Sequence, residues 1–426
     1  MDESNLFGKD RTSPRFLLEC LACRREQARS ALRCAAGCDS LLQTRYQAAS
    51  FQPNGAGNLF RFADWLPCEG GLPTTVGPVV HGCEKLGRRL GLTRLFCCFN
   101  GYWPEIGACN PTGTFKDLEA VPTLKAFADQ GRRRIVLASA GNTARAFAHA
   151  AQATAVEVYI VVPEAMLHRL WLPGSHPADR VRLIAVKGSS DYSEAIEVAD
   201  EISLRYGIDP EGGARNVARR DGLGTVMLEA ARSLGCLPRH YFQAVGSGTG
   251  AIAAFEAAQR LAGDARFAGA PMPRLHLGQN APFLPIYCAW KQQAAIDRAA
   301  SWTRPGEEVY ASVLANRNPP YAIRGGVRDV LAWSEGEVYA VSSADAVQAG
   351  QEFAEDEGID LEPAAAVAVA SLRQAVAGRL VAPDDLILIN LTGGGLEALR
   401  RDFGLRALVP DLLVERGKLD AIAAIV

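Results

Sequence analysis

The sequence predicts a mixed α/β protein built on parallel sheets. Short apolar segments such as residues 135–138 and 156–162 alternate with Ala-rich or amphipathic segments of helical length, the pattern of parallel strands joined by helices. Residues 156–162 are apolar almost throughout, as expected for a strand that is covered on both faces. A chain of 426 residues is long enough to divide into more than one domain.

The periodicity of apolar residues predicts the individual elements in chain order. Helices are expected over residues 79–90, from about 114 through 129, from 144 onward, and over 193–205, 223–234, 251–261, 344–356 and 364–377. Strands are expected over residues 93–99, 135–138, 156–162, 181–186, 241–245, 275–277, 338–341 and 386–391.

Composition excludes several classes of partner. The net charge of −2 gives no basic excess, so neither nucleic acid nor an anionic membrane surface is an expected partner. No apolar run reaches the roughly 18 residues of a membrane helix, and the polar N-terminus lacks the apolar core of a signal peptide. Eleven cysteines, some inside apolar stretches such as Cys97-Cys98, are typical of reduced core residues in a cytoplasmic protein.

Residues 1–50 are predicted to form a separate N-terminal module that contains two cysteine pairs. Cys20 and Cys23, then Cys34 and Cys38, have a spacing that could form a small zinc ribbon. The second pair is wider than the commonest zinc knuckle, and no glycine follows Cys23. The alternatives are therefore a degenerate ribbon or plain buried thiols. Any zinc would be structural, because four thiolates leave no open coordination position.

The segment Asn-Pro-Thr-Gly-Thr-Phe-Lys-Asp, residues 110–117, carries the strongest chemical signal. A Pro-Thr-Gly turn precedes a predicted helix, which places Lys116 in the first helical turn. Unpaired N–H groups and the helix dipole make that position electropositive. This environment favours the neutral amine, so Lys116 is a candidate nucleophile, and an anionic cofactor could dock beside it. The simpler alternative is a turn followed by a solvated lysine.

A second candidate site is the run Gly246, Ser247, Gly248, Thr249 and Gly250. The run follows a predicted strand and opens a predicted helix, so successive backbone N–H groups could converge on a phosphate. A dinucleotide loop is the alternative, but the spacing of the glycines does not fit Gly-x-Gly-x-x-Gly. Phosphate binding is therefore the favoured interpretation.

Four segments in this order resemble threonine synthase and its relatives, the fold-type-II enzymes that use pyridoxal phosphate. They are residues 110–117, Ser-Ala-Gly-Asn-Thr at 139–143, residues 246–250, and Leu-Thr-Gly-Gly-Gly at 391–395. The resemblance implies a tryptophan synthase β-like fold with two doubly wound α/β domains and the cofactor between them. It assigns residues 51–119 and 226–426 to the large domain and residues 120–225 to the small domain.

The resemblance also implies a role for each cofactor-binding residue. Lys116 would bind the cofactor covalently and later remove the substrate α-proton. Asn142 would hydrogen-bond the ring hydroxyl, and Thr392 would contact the pyridine nitrogen. A hydroxyl at Thr392 does not hold that nitrogen protonated, which favours elimination and replacement over transamination. Residues 246–250 would hold the cofactor phosphate.

Substrate contacts are implied at two further places. Ser139 and Thr143, in the loop before the third predicted helix, would hold the substrate carboxylate. Asn216 and Arg219 resemble the Asn-x-x-Arg segment with which threonine synthases bind a substrate phosphate, and arginine suits bidentate recognition of such anions. A solvated basic turn is the alternative there. Arg145 is a weaker candidate for a second anion.

Longer segments resemble cysteate synthase, a relative of threonine synthase, over nearly the whole chain from about residue 15. The segments include residues 101–105, 138–143, 211–220 and 241–250. The implied reaction is O-phospho-L-serine plus sulfite to L-cysteate and phosphate, in a homodimeric enzyme. Alternatives are threonine synthase, which the Asn-Pro-Thr-Gly-Thr run favours, replacement with another nucleophile, or a catalytically silent cofactor-binding protein. Zinc at the four N-terminal cysteines is possible but is not the favoured interpretation.

Overall fold

A computed structural model describes residues 15–174, 179–188, 192–297, 301–302 and 308–426. The strands are β1 (Phe16–Cys20), β2 (Glu26–Gln27), β3 (Leu42–Tyr46), β4 (Val79–Gly82), β5 (Leu95–Phe99), β6 (Tyr102–Trp103), β7 (Ala108–Cys109), β8 (Arg134–Ala138), β9 (Glu157–Pro163), β10 (Trp171–Pro173), β11 (Val181–Val186), β12 (Asp209–Pro210), β13 (His240–Ala244), β14 (Arg274–Asn280), β15 (Glu337–Val341), β16 (Ile387–Leu391), β17 (Leu405–Ala407) and β18 (Leu412–Val414). The helices are α1 (Glu84–Leu90), α2 (Lys116–Asp129), α3 (Asn142–Ala150), α4 (Tyr192–Tyr206), α5 (Val217–Leu234), α6 (Thr249–Ala262), α7 (Pro285–Gln292), α8 (Val327–Trp333), α9 (Ser343–Glu357), α10 (Pro363–Ala377) and α11 (Leu396–Phe403).

The larger sheet has six strands in the order β15-β14-β13-β16-β5-β4. Its neighbouring strands run parallel, except for β4, which pairs antiparallel with β5 at one edge. Strands β13 and β16 are direct neighbours, so the chain segments that follow them leave the same edge of the sheet. These segments are the glycine run at 246–250 and the Thr392 segment. Parallel sheets place ligand sites at that edge.

A second, five-stranded parallel sheet has the order β12-β8-β9-β11-β18. The loop with Ser139 follows β8, and the segment from Glu211 follows the neighbouring strand β12. Four of the strands fall within residues 120–225, whereas β18 comes from the C-terminal part of the chain. The division of the chain into domains at 119/120 and 225/226 stays a prediction.

Most predicted elements are confirmed with small shifts of their ends, and residues 181–186 match β11 without a shift. The prediction of a single helix over residues 79–90 is wrong, because Val79–Gly82 pairs with β5 as an edge strand and the helix is confined to Glu84–Leu90. Helix α5 begins six residues earlier than predicted, at Val217. The sequence did not indicate this start because Gly222, inside the helix, has a low helix propensity. Its presence allows close helix packing, since a Cβ there would lie 2.1 Å from the Leu118 carbonyl oxygen of α2.

The N-terminal residues form a three-stranded antiparallel sheet in the order β2-β1-β3. Residues 1–14 of the predicted module lie outside the described residues. The side chains of Phe16, Leu18 and Leu42 form a small apolar cluster with Val217 at the start of α5. Among the residues that the structure describes, no helix combines the length and the apolar character needed to cross a membrane.

Candidate active site

Lys116 is the first residue of α2, as the sequence predicts. Gly113 takes a left-handed φ of 69° in the preceding turn, a conformation that favours glycine. The buried carboxyl of Asp117 fixes this turn by accepting hydrogen bonds from the backbone N–H and the hydroxyl of Thr112, both at 2.9 Å. The Lys116 side chain is only 18% exposed. Burial lowers the pKa of its amine, and the neighbouring carboxylate of Glu119 partly opposes this change.

Glu119 lies at the centre of a buried charged network. Its carboxylate is 3.0 Å from Nζ of Lys116 and 2.9 Å from Nη2 of Arg219. The hydroxyl of Thr143 donates to the same carboxylate at 3.1 Å, and Glu211 contacts Nη1 of Arg219 at 2.7 Å. Three residues predicted from separate motifs therefore share one carboxylate that the sequence analysis did not select.

The glycine run lies beside the lysine segment. Its last glycine, Gly250, is so close to Phe115 that a Cβ there would lie 3.0 Å from the Phe115 ring. Helix α6 begins at Thr249, so the run supplies the N-terminal end of a helix, where N–H groups are available to an anion. The hydroxyls of Ser247 and Thr249 are 2.8 Å apart. The strand-loop-helix arrangement predicted for this run is confirmed.

The Thr392 segment also contacts the lysine segment, through backbone atoms. The N–H of Phe115 donates to the Thr392 carbonyl oxygen at 3.0 Å, and Thr114 forms an isolated β-bridge with Gly393. Thr392 itself is buried. The structure therefore brings together the three segments that the sequence analysis had selected at 110–117, 246–250 and 391–395.

Asn142 and Arg145 are held by a second carboxylate, that of Glu362. The Asn142 amide donates to Glu362 at 2.7 Å, and Arg145 forms an ion pair with Glu362 at 3.2 Å and a further hydrogen bond with Asn142. The Arg145 guanidinium also stacks over the Trp171 ring. Burial lowers the pKa of Arg145, and the charge of Glu362 opposes this effect. The predicted ligand roles of Asn142 and Arg145 stay predictions.

Ser139 and Asn216 each hold the start of a helix in this structure. The Ser139 hydroxyl accepts a hydrogen bond from the N–H of Ala144 at 3.1 Å. The side-chain Oδ1 of Asn216 accepts hydrogen bonds from the N–H of Ala218 at 3.0 Å and from that of Arg219, while its side-chain amide donates to the backbone carbonyl oxygen of Glu211. Asn216 thus acts as a helix N-cap and sets the position of Arg219, and direct substrate contacts by either residue stay predictions.

Sequence reasoning missed Glu119, Glu211 and Glu362. Glu119 follows Lys116 by three residues on one helix, a spacing that places two side chains on the same face, so this signal was available. Glu362 precedes Pro363 at the start of α10 and reaches Asn142 only through the fold. No local pattern indicated that contact.

Comparison with known proteins agrees with this geometry. A family model described as "Pyridoxal-phosphate dependent enzyme" matches residues 103–393, which include the lysine and glycine segments and Thr392. Cysteate synthase from Methanosarcina acetivorans is 46% identical over 405 residues, covering 94% of this chain and 97% of that protein. The chain belongs to the cysteate synthase family of pyridoxal-phosphate dependent enzymes.

A further relative supports this family assignment, and two solved structures share the fold. Cysteate synthase from Methanocella paludicola is 46% identical over 406 residues, which cover 94% of each chain. Maize serine racemase has a TM-score of 0.56 at 18% identity, covering 76% of this chain and 90% of that one. The processed form of threonine deaminase isoform 2 from Solanum lycopersicum has a TM-score of 0.53 at 17% identity, covering 76% and 82%. The predicted fold-type-II architecture is confirmed.

The residues of the site fit pyridoxal phosphate. A Cβ at Gly248 would lie 2.4 Å from a Val327 methyl group, and one at Gly250 would lie 2.5 Å from the Gln243 amide. A side chain at either position would therefore clash with its neighbours, so glycine allows the tight backbone turn at the start of α6. A phosphate-binding loop requires such a turn. Burial lowers the pKa of Lys116, and its amine would be the group that binds the cofactor aldehyde. The contacts of Phe115 place Lys116 between the glycine run and the Thr392 segment.

Proposed function

We propose that this enzyme forms L-cysteate from O-phospho-L-serine and sulfite. The observation that carries the proposal is that Lys116 and Arg219 contact the same Glu119 carboxylate. The reaction needs a base at the substrate α-carbon and a cation near the phosphate on the adjacent β-carbon. Lys116 and Arg219 provide this pair in one small, buried network, and relatives at 46% identity are named cysteate synthase.

Each residue would contribute a defined step. Bound pyridoxal phosphate supplies an electron sink for the pair left when the α-proton departs. Lys116 accepts that proton on Nζ, the bond between Cβ and the phosphate oxygen breaks, and the phosphate leaves toward Arg219. The sulfur lone pair of sulfite then forms a C–S bond with Cβ, the carbon that the phosphate left. Lys116 returns the proton to the α-carbon. The guanidinium of Arg219 has parallel N–H donors that can bind two oxygens of one phosphate group.

Burial supports the chemistry of Lys116. Its amine must be neutral to accept a proton, and desolvation disfavours the charged ammonium. The structure shows this direction for the pKa of Lys116. Glu119 acts against it, so the balance of the two effects sets the pH range in which the amine can act as a base.

Product analysis by mass spectrometry tests the proposal. The purified enzyme, loaded with pyridoxal phosphate, is incubated with phosphoserine in the presence or absence of sulfite, and with phosphohomoserine in a parallel reaction. We expect cysteate and phosphate only when phosphoserine and sulfite are both present, and no product from the Lys116→Ala variant. Threonine from phosphohomoserine, with no cysteate from phosphoserine, would instead identify a threonine synthase.

We also propose a homodimer located in the cytoplasm, with small molecules as its partners. The support is the membership of the chain in a family of small-molecule enzymes and the low net charge. Light scattering coupled to size-exclusion chromatography measures the mass in solution, and a monomeric mass would contradict the dimer.

A further inference from the structure

Four cysteines of the N-terminal sheet converge on one point. Cys20 ends β1, Cys23 lies in the next turn, and Cys34 and Cys38 lie between β2 and β3. Their Sγ atoms all lie within 4.8 Å of one another, and those of Cys23 and Cys34 are 3.6 Å apart. A tetrahedral zinc ion with Zn–S bonds of about 2.3 Å needs sulfur–sulfur distances of about 3.8 Å. The cluster therefore already has nearly the size of such a site.

The backbone around the sulfurs has the form of two metal-binding turns. The N–H of Arg24 donates to the Cys20 carbonyl oxygen at 2.9 Å, and that of Gly37 donates to the Cys34 carbonyl oxygen at 3.0 Å. Arg24 and Gly37 have left-handed φ angles of 61° and 75°. The missing glycine after Cys23 is therefore no obstacle, because Arg24 adopts the required conformation at a cost of about 1–2 kcal/mol.

We propose that the thiolates of Cys20, Cys23, Cys34 and Cys38 bind one structural Zn²⁺ ion. Each thiol gives up its proton and donates an electron pair to the metal, so binding needs no oxidant or reductant. A closed site of four thiolates has no position for a substrate or water, which makes the ion structural and not catalytic.

The zinc module would support the region that contains Arg219. Asp39, next to Cys38, forms an ion pair with Arg215 at 3.1 Å, and the Leu32 side chain lies so close to Gly212 that a Cβ there would be 2.6 Å away. On the other flank, Asp221 accepts hydrogen bonds from the hydroxyls of two β3 residues, Thr44 and Tyr46, both at 2.7 Å. The module therefore holds both ends of residues 212–221. This positioning role rests on the proposed function of Arg219 in binding phosphate.

Metal analysis of the full-length enzyme tests the zinc site itself. The wild type is purified under reducing conditions from zinc-supplemented cells, beside Cys34→Ser and the control Cys236→Ala, which changes a half-buried cysteine outside the cluster. We expect about one zinc per chain in the wild type and the control, and a loss of most zinc in Cys34→Ser. A wild type that stays free of zinc after reconstitution with Zn²⁺ overturns the proposal, whatever its activity.

Cobalt keeps the test decisive if Cys34→Ser does not fold. Wild type loaded with Co²⁺ should show the thiolate-to-cobalt charge-transfer and intense visible bands of a tetrahedral sulfur site, and their absence contradicts the proposal. Removing zinc from the wild type with a chelator should raise the KM for phosphoserine several-fold while the bound cofactor absorbance is kept. If the wild type binds one zinc per chain and the chelator removes that zinc without changing the KM, only the positioning role is refuted.

Discussion

The Nζ atom of Lys116 lies 3.0 Å from Oε2 of Glu119, one turn later on the same helix. The other carboxylate oxygen of Glu119 lies 2.9 Å from Nη2 of Arg219. One buried carboxylate thus couples the charge of the lysine to the position of the arginine, and a change at Glu119 should affect both.

Glu119→Gln should move the protonation of Lys116 to lower pH. Burial already lowers the pKa of this amine, and Glu119 raises it. Removing the carboxylate therefore lowers the pKa further, and the neutral amine persists to more acidic pH. The pH dependence of cofactor attachment to the apoenzyme, followed by absorbance, should shift to lower pH relative to the wild type and to a surface control, Glu355→Gln. A shift to higher pH would contradict the role assigned to Glu119.

Arg219→Gln should weaken phosphoserine binding. A hydrogen bond to a charged group contributes about 1.5–3 kcal/mol, so KM should rise by about tenfold to a hundredfold if Arg219 binds the substrate phosphate. Arg219→Lys keeps the positive charge but loses the paired N–H donors of the guanidinium, so we expect an intermediate KM. Steady-state kinetics with cofactor-saturated enzyme measure both values. If both variants keep the wild-type KM, Arg219 serves only to pair Glu119 and Glu211.

Gly248→Ala should reduce cofactor affinity. Gly248 has a φ of 76°, and a Cβ there would lie 2.4 Å from Val327. Gly235→Ala is a matched control, because Gly235 has a φ of 70° with no atom within 4 Å of the added Cβ. Both variants should lose about 1–2 kcal/mol of stability from the left-handed backbone. Only Gly248→Ala should also raise the Kd for pyridoxal phosphate, which equilibrium dialysis measures. Equal Kd values would argue against this loop as the phosphate site.

Asp117→Asn should flatten the pH dependence of stability. Burial raises the pKa of Asp117 to about 7 from 3.8, so between these values the folded protein retains a proton that the unfolded chain has lost. Its unfolding free energy therefore falls as pH rises from about 4 to about 7. Asparagine does not titrate, so the variant should lose this part of the slope. Urea unfolding at several pH values measures it, and parallel curves for the two proteins would contradict the pKa shift.

Local patterns in the sequence predicted much of the fold and the chemical centre of the site. Two features are defined by residues that are close in sequence, so local patterns predict them. They are the turn and helix start around Lys116 and the strand, loop and helix around Gly248. The single helix predicted over residues 79–90 failed because the Val79 segment is a strand only through pairing with β5. Glu362 was missed for the same physical reason, since its partner Asn142 is distant in sequence.

The pairing of β18 with β11 has a consequence for synthesis of the chain. Strand β18 comes from residues 412–414, whereas the other four strands of its sheet end by residue 210. During translation the smaller sheet cannot be completed until residues 412–414 have left the ribosome, long after residue 210. Until then β11 offers an unpaired edge to other nascent chains. A nonsense mutation at residue 412 would remove β18 and would therefore leave β11 unpaired in a sheet whose other four strands end by residue 210.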